Sequence, residues 1–279
     1  MAPGRRPSRR GPVALGLLGV LVLAAGCGTD EGMSSTPSAP ATADAGLPQS
    51  GEPADLDPAD FTTEMDNTYW PMDPGTRWVY RETDEEGQEL RVVVTATSVT
   101  KEVANGVTAR VVRDTVSQDG EVVEDTFDWY AQDSAGTIWY LGEDTAEFED
   151  GQVTTKAGSF EAGVDGALAG VIMPGEPAVG QAYRQEYLAG EAEDNGEVLS
   201  LDEQAEVPAG HFDHALLTKD TITIEPDVLE YKLYAPGVGP VLVLGVSGGG
   251  GREELVEVST VPADTARAAG TTPLGEEYD

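Results

Sequence analysis

Asp128-Trp129-Tyr130-Ala131-Gln132-Asp133, then Ser134-Ala135-Gly136, then Thr137-Ile138-Trp139-Tyr140-Leu141: this stretch decides the fold. Two aromatic-rich runs flank three small residues that end in glycine. That arrangement predicts a β-hairpin closed by a type I turn with a G1 bulge, because the last turn position needs a left-handed backbone. The register then sets Trp129 opposite Leu141 and Ala131 opposite Trp139 on one face, with Tyr130 opposite Tyr140 on the other. Two indoles on one side are costly to leave wet, at roughly 25 cal/mol per Å² of apolar surface. The tryptophan face is therefore assigned to the core.

The same alternation extends outward. Trp78 and Tyr80 alternate with Val79 and Arg81, and Leu90, Val92 and Val94 alternate beyond Asp84-Glu85-Glu86-Gly87. A five-residue loop from Thr83 to Gly87 would place Trp78 against Val92, Tyr80 against Leu90 and Arg81 against Glu89. Asp119-Gly120, Asn105-Gly106 and Asp150-Gly151 are tight-turn signals. Later strands are expected at 197–201, 214–224, 229–234, 241–246 and 253–259. No segment sustains an i, i+3, i+4 apolar pattern, so helix content should be low.

Strands joined by short turns pair with their neighbours. Nine or ten strongly twisted strands curl. The expected fold is all-β: an antiparallel meander forming a strongly curved sheet or half-open barrel. Residues 157–190, rich in glycine and carrying Pro174 and Pro177, are expected as one long ordered loop across an end or the open face of the sheet.

Charge narrows the function. The 279 residues include 51 Asp and Glu against 16 Lys and Arg, a formal charge of -35. Such a chain is repelled by phosphate backbones, so no nucleic-acid partner is expected. It resists self-association and is expected to be monomeric.

The N-terminus indicates the compartment. Arg5, Arg6, Arg9 and Arg10 precede an uncharged apolar run over 13–25, followed by Leu23-Ala24-Ala25-Gly26-Cys27. A basic start, a short apolar stretch and small residues at the cut read as a secretory signal peptide over 1–26. Thirteen helical residues rise about 20 Å, too little to span a bilayer. Leu-Ala-Ala-Gly-Cys resembles the lipobox of bacterial lipoproteins, which implies palmitate-type acylation of Cys27, the sole cysteine. The expected location is the extracytoplasmic face of the cell membrane, held there by the N-terminal lipid. Residues 27–64 lack Lys and Arg and are rich in Pro, Ser, Thr and Asp, the composition of a disordered acidic tether. A single β domain over 65–262 and a flexible tail over 263–279 complete the organisation.

Within the domain, Tyr69-Trp70-Pro71-Met72-Asp73-Pro74-Gly75-Thr76-Arg77-Trp78-Val79-Tyr80 resembles the opening of a family of bacterial secreted lipoproteins. That family begins Tyr/Phe-Pro-Leu-x-Pro-Gly-x-x-Trp-x-Tyr; Met72 stands here for the commoner leucine. The 128–133 run, Trp139-Tyr140-Leu141-Gly142-Glu143 and Tyr234-Ala235-Pro236-Gly237-Val238-Gly239 are similar to further blocks of it. The resemblance implies a β-meander lipoprotein and no substrate. At the level of fold alone, the domain more distantly resembles half-barrel lipid carriers of bacterial envelopes.

Catalytic patterns mostly fail. Gly245-Val246-Ser247-Gly248-Gly249 matches a nucleophile elbow, but glycines and another strand follow where a helix is needed, and no histidine lies downstream. His211 and His214 would point to opposite sides of a strand, which disfavours a shared metal. Glu186, Glu191, Glu193 and Asp194 cluster around Gly190; they are candidate Ca²⁺ ligands, or else a solvated acidic turn. No other cofactor is indicated. The expected function is a non-enzymatic binding or structural role in the envelope. Trp78, Trp129 and Trp139 are candidate walls for an apolar ligand or a partner protein on the curved sheet. A cation-binding surface protein and a carboxylate-dependent secreted hydrolase are the alternatives.

Overall fold

The structure is a computed structural model that describes residues 46–84, 87–249 and 251–278. The expected signal peptide, Cys27 and the expected tether up to residue 45 lie outside the described residues. Seven strands come first: β1 (Phe61–Thr62), β2 (Thr76–Thr83), β3 (Glu89–Glu102), β4 (Thr108–Gln118), β5 (Glu121–Asp133), β6 (Ile138–Glu149) and β7 (Gln152–Thr155). Three short ones follow: β8 (Phe160–Glu161), β9 (Gly170–Met173) and β10 (Ala182–Arg184). The last five are β11 (Asp194–Val207), β12 (Gly210–Ile222), β13 (Leu229–Ala235), β14 (Gly239–Ser247) and β15 (Arg252–Thr260), ahead of one short helix, α1 (Ala263–Ala269).

The hydrogen-bonded order is β10-β11-β12-β13-β14-β15-β2-β3-β4-β5-β6-β7, antiparallel throughout. It is the expected all-β meander, and it does not close into a barrel. Two runs of sequential hairpins meet where β15 pairs with β2, from Arg252–Thr83 to Thr260–Thr76. No helix among the described residues is long and apolar enough to cross a membrane.

The turns follow the local chemistry. Asp119 and Gly120 both take positive φ (53° and 86°) between the paired residues Gln118 and Glu121, as a two-residue hairpin turn requires. Asp150-Gly151 repeats the device between Glu149 and Gln152. In the 128–141 hairpin, Tyr130 pairs with Tyr140 and Ala131 with Trp139, and the tyrosine rings stack at 4.8 Å. The Gly136 amide donates to the Asp133 carbonyl, closing the expected turn.

Two registers differ from the sequence reading. The β2–β3 turn is displaced by two residues, so Trp78 pairs with Val94, Tyr80 with Val92 and Arg81 with Arg91. The Asp84 carboxylate accepts the Gln88 amide at 2.7 Å and fixes the later closure. Arg81 instead reaches Glu254 on β15, at 2.9 Å. A bulge between Asp128 and Tyr130 also leaves Trp129 without a directly opposed partner on β6, though it pairs with Val111 on β4.

The 157–190 segment does more than cross the sheet. Its strands β8 and β9 pair with β6, β10 pairs with β11, and a bridge joins Leu168 to Tyr187. The segment thus stitches the β6 side of the sheet to the β10–β11 edge. Arg184 Nη2 donates to the Ala169 carbonyl at 2.7 Å across this seam. At Gly170 a Cβ would lie 2.0 Å from the Gln185 carbonyl oxygen, so only glycine fits the crossing.

Both segments expected to be loose carry defined contacts over their described parts. Residues 46–64 form a strap: the Arg184 amide donates to the Pro48 carbonyl, and its guanidinium donates to the Ser50 and Glu52 carbonyls. Leu47, Ala54, Leu56 and Phe61 pack on the core, and β1 pairs with β5. At the other end, fully buried Arg113 pairs with Asp125 and donates to carbonyls of Ala269, Thr272, Pro273 and Glu276. Composition gave the right polarity for both segments, but backbone carbonyls tie each of them to a buried arginine, and a few apolar side chains add core contacts.

Candidate functional site

Strand alternation sends Trp78, Tyr80 and Glu82 of β2 to one side of the sheet, together with Val112 and Asp114 of β4. On β5 the same side carries Glu124, Thr126, Asp128 and Tyr130. Glu143 of β6, Glu230, Lys232 and Tyr234 of β13, and Glu253 of β15 complete the ring, and Trp70 enters from the segment before β2. These residues enclose a cavity of about 130 Å³, far more than the roughly 10–15 Å³ that one water needs. The concave side of the sheet is hollow.

One wall is aromatic. Trp70 lies 5.6 Å from the Tyr130 ring and 5.7 Å from the Tyr234 ring, centroid to centroid. Trp78 Nε1 donates to the Val238 carbonyl at 2.7 Å, and the Tyr80 hydroxyl donates to the Pro240 carbonyl at 3.1 Å. These bonds tie β2 to the β13–β14 turn and satisfy the polar tips of two otherwise apolar side chains.

Val94, Val112, Ile172 and Val243 add apolar surface, and acids dominate the polar part of the lining. Its two cationic residues already have acidic partners: Lys232 meets Asp220 at 3.0 Å and Glu230 at 3.6 Å, and Arg252 meets Glu254 at 2.8 Å. Removal from water raises the carboxyl pKa values, and neighbouring acids raise them further. Glu82 and Glu124 rise to about 8; burial leads in both, followed by Glu253 for the first and Glu147 for the second. Asp128 and Glu253 rise to about 7, mainly through burial. Asp114 and Glu143 are also pushed well up. Glu82 is 4% exposed, yet its Oε2 has no hydrogen-bond partner, and neither does Oδ1 of Asp114.

Asp128 and Glu143 share a partner. The Tyr140 hydroxyl lies 2.8 Å from Asp128 Oδ1 and 2.7 Å from Glu143 Oε2. A phenol has a single proton to donate, so both bonds form only when one of the two carboxyls carries a proton.

Of the three candidate wall tryptophans, the cavity takes only Trp78. Trp129 and Trp139 are buried as expected, but on the other side of the sheet. Lys101 Nζ sits 3.8 Å over the Trp129 ring, and Phe61 of the strap meets Trp139 edge-on at 6.2 Å. The Trp139 indole donates to Asp133 at 2.8 Å. Burial of an indole pair does not by itself select the concave face, because the strap gives the convex face a cover of its own.

The expected Ca²⁺ ligands divide. Glu186 and Asp194 are buried and adjacent, and each leaves one carboxylate oxygen unpartnered. Glu191 is exposed, and Glu193 accepts the Gly190 amide at 2.9 Å. Among the described residues no group of three or more acids or histidines is placed to hold a metal ion. His211 bonds Glu206 and Asp213, while His214, at positive φ, bonds Asp202, all at the surface. The Ser247 hydroxyl, at the end of β14, donates to the Asp227 carbonyl in the β12–β13 turn.

The interior carboxyls were missed by the sequence reading. Their signal is parity: Trp78-x-Tyr80-x-Glu82, Glu124-x-Thr126-x-Asp128-x-Tyr130 and Glu230-x-Lys232-x-Tyr234 each place acids on the same side as a buried aromatic.

No family model matches this chain, and no curated protein matches it. Among solved structures it is similar to a lipoprotein candidate from Parabacteroides distasonis, with 12% identity over 69% of this chain and 99% of that one. The TM-score is 0.38, and no statement about function rests on a likeness of that size.

Proposed function

We propose that this is a lipid-anchored protein of the bacterial envelope that holds a small ligand inside its curved sheet without transforming it. The anchoring half rests on the sequence from Leu23 to Cys27. The binding half rests on one observation: the hollow concave face, where Glu82 and Asp114 keep buried oxygens that the chain itself does not satisfy. Buried polar groups are costly to leave unpaired, and a bound molecule supplies what the polypeptide withholds. The acidic lining turns the expected apolar ligand into one with both apolar surface and hydrogen-bond donors.

Mass spectrometry of molecules released on denaturing the natively purified protein tests the binding half. One compound recovered in stoichiometric amount supports it; repeated recovery of none overturns it. Labelled palmitate incorporation, lost in Cys27→Ser, tests the anchor separately.

A second reading is favoured by the Asp128–Glu143 pair. The two bonded carboxyl oxygens lie at most about 5.5 Å apart through Tyr140, within the roughly 5–5.5 Å limit for the pair in a retaining glycoside hydrolase and well short of an inverting one. Glycoside hydrolysis abolished by Asp128→Asn supports that reading; no turnover of any glycoside removes it.

A further inference from the structure

Resting on the reading of the interior as a binding site, we propose that its ligand is a small organic cation of the alkylated ammonium class. Such an ion would be held between the aromatic wall and the surrounding carboxylates.

Three observations converge on that class. The first is charge. Lys232 and Arg252 are each matched by acids of their own, and Lys232 also acts on Glu253, which leaves Glu82, Asp114, Glu124, Asp128 and Glu143 around the cavity without a matching cation among the described side chains. An anion would meet a wall of like charge, and a neutral apolar molecule would leave the acids as they are.

The second is shape. The carboxylates come from β2, β4, β5, β6 and β15 and surround the space instead of converging. Compact metal ions need several oxygens at one point, and no group of three or more is so placed among the described residues. A bulky ion with diffuse charge suits a distributed set of acids.

The third is the wall. Trp70 inclined against Tyr130 and Tyr234 offers aromatic faces in the same cavity. Such faces attract ammonium groups through the ring quadrupole. Trp70 is only half-buried and stands where this wall meets the surface, so it can be altered with less damage to the core.

Without a ligand, protons supply the positive charge: the raised carboxyl pKa values keep part of the ring neutral. An entering cation takes over that role, so binding expels protons into solution. The groups that face it are the five acids just named, with Glu230 and Lys232 on β13, Arg252 and Glu253 on β15, and the phenols of Tyr80, Tyr130 and Tyr234.

The test is calorimetric titration of the detergent-purified full chain with choline and with trimethylammonium, at constant ionic strength. Calcium chloride and a fatty acid serve as comparison ligands. Saturable one-to-one choline binding is expected, with a heat that changes with the buffer's ionisation enthalpy because protons are released. Glu82→Gln and Trp70→Leu should each weaken it roughly tenfold while circular dichroism stays native. Binding of the fatty acid but of neither ammonium ion overturns the ligand class and leaves the binding reading standing. Binding of calcium alone also overturns the class. No binding of any of the four overturns this inference, while recovery of an endogenous compound by mass spectrometry judges the binding reading independently. Ammonium binding unaffected by both substitutions in natively folded variants places it outside the cavity and equally overturns the inference.

Discussion

Asp128 faces Glu143 across the β5–β6 ladder, both carboxyls are buried, and the single hydroxyl of Tyr140 bonds to both. A like-charged pair at this distance, withdrawn from water, is stable only with a proton between its members. The Tyr140 bond acts against burial and pulls the Asp128 pKa down from where desolvation alone would set it, leaving it at about 7.

Tyr140→Phe therefore raises the Asp128–Glu143 titration further. Infrared spectroscopy of the protonated-carboxyl band should show its midpoint moving to higher pH in the variant. A midpoint that stays in place or falls would show that the hydroxyl does not hold the pair.

The interior acids also set how stability depends on pH. Their folded pKa values are raised, so the folded state binds more protons than the unfolded chain between the two values. Stability is thus fully present below the unfolded carboxyl range near 4. It declines as pH rises through the folded values of about 7 for Asp128 and Glu253 and about 8 for Glu82, Glu124 and Asp194. The melting temperature should be higher near pH 5 than near pH 9, and Glu82→Gln should flatten the decline. A melting temperature that rises over this interval contradicts the buried-acid ring.

Arg113 anchors the C-terminal segment, and its loss should be felt in two places. Arg113→Leu leaves the Asp125 carboxylate buried without its ion pair, at a cost of about 3–5 kcal/mol in urea unfolding. The same change frees the carbonyls of Ala269, Thr272 and Pro273, so limited proteolysis should cut after residue 262 sooner than in the parent. Unchanged cleavage would mean that the segment is held by other contacts.

The seam at Gly170 admits no side chain. Gly170→Ala should cost on the order of 1–3 kcal/mol through overpacking against the Gln185 carbonyl. Faster hydrogen exchange at β9 and β10 should accompany it, with β3 and β4 unaffected. Uniform acceleration across the sheet would show that the seam is not a separate unit.

Period-two alternation and Asp-Gly dipeptides were enough to read the strands and hairpins, because both act locally. The β2–β3 register slipped because Asp84, read as the start of a polar turn, is in fact its cap. Choosing between the two sides of the 128–141 hairpin required non-local knowledge. Either side can be buried once a strap such as 46–64 covers one of them, and nothing within the hairpin encodes that cover. The acidic interior was hidden by abundance: with 51 acids in the chain, Glu82 and Asp128 look like surface residues until their parity with Tyr80 and Tyr130 is followed along the strand.

The ladder between β15 and β2 imposes an order of events on the growing chain. Emerging from its N-terminal end, the polypeptide can build β2 through β7 early, but one flank of β2 keeps its amides and carbonyls open until Thr260 has left the ribosome or export channel. That interval, roughly 180 residues of elongation, is when the nascent sheet is most at risk of pairing with a stranger, and a chaperone that caps an exposed strand would be of most use then.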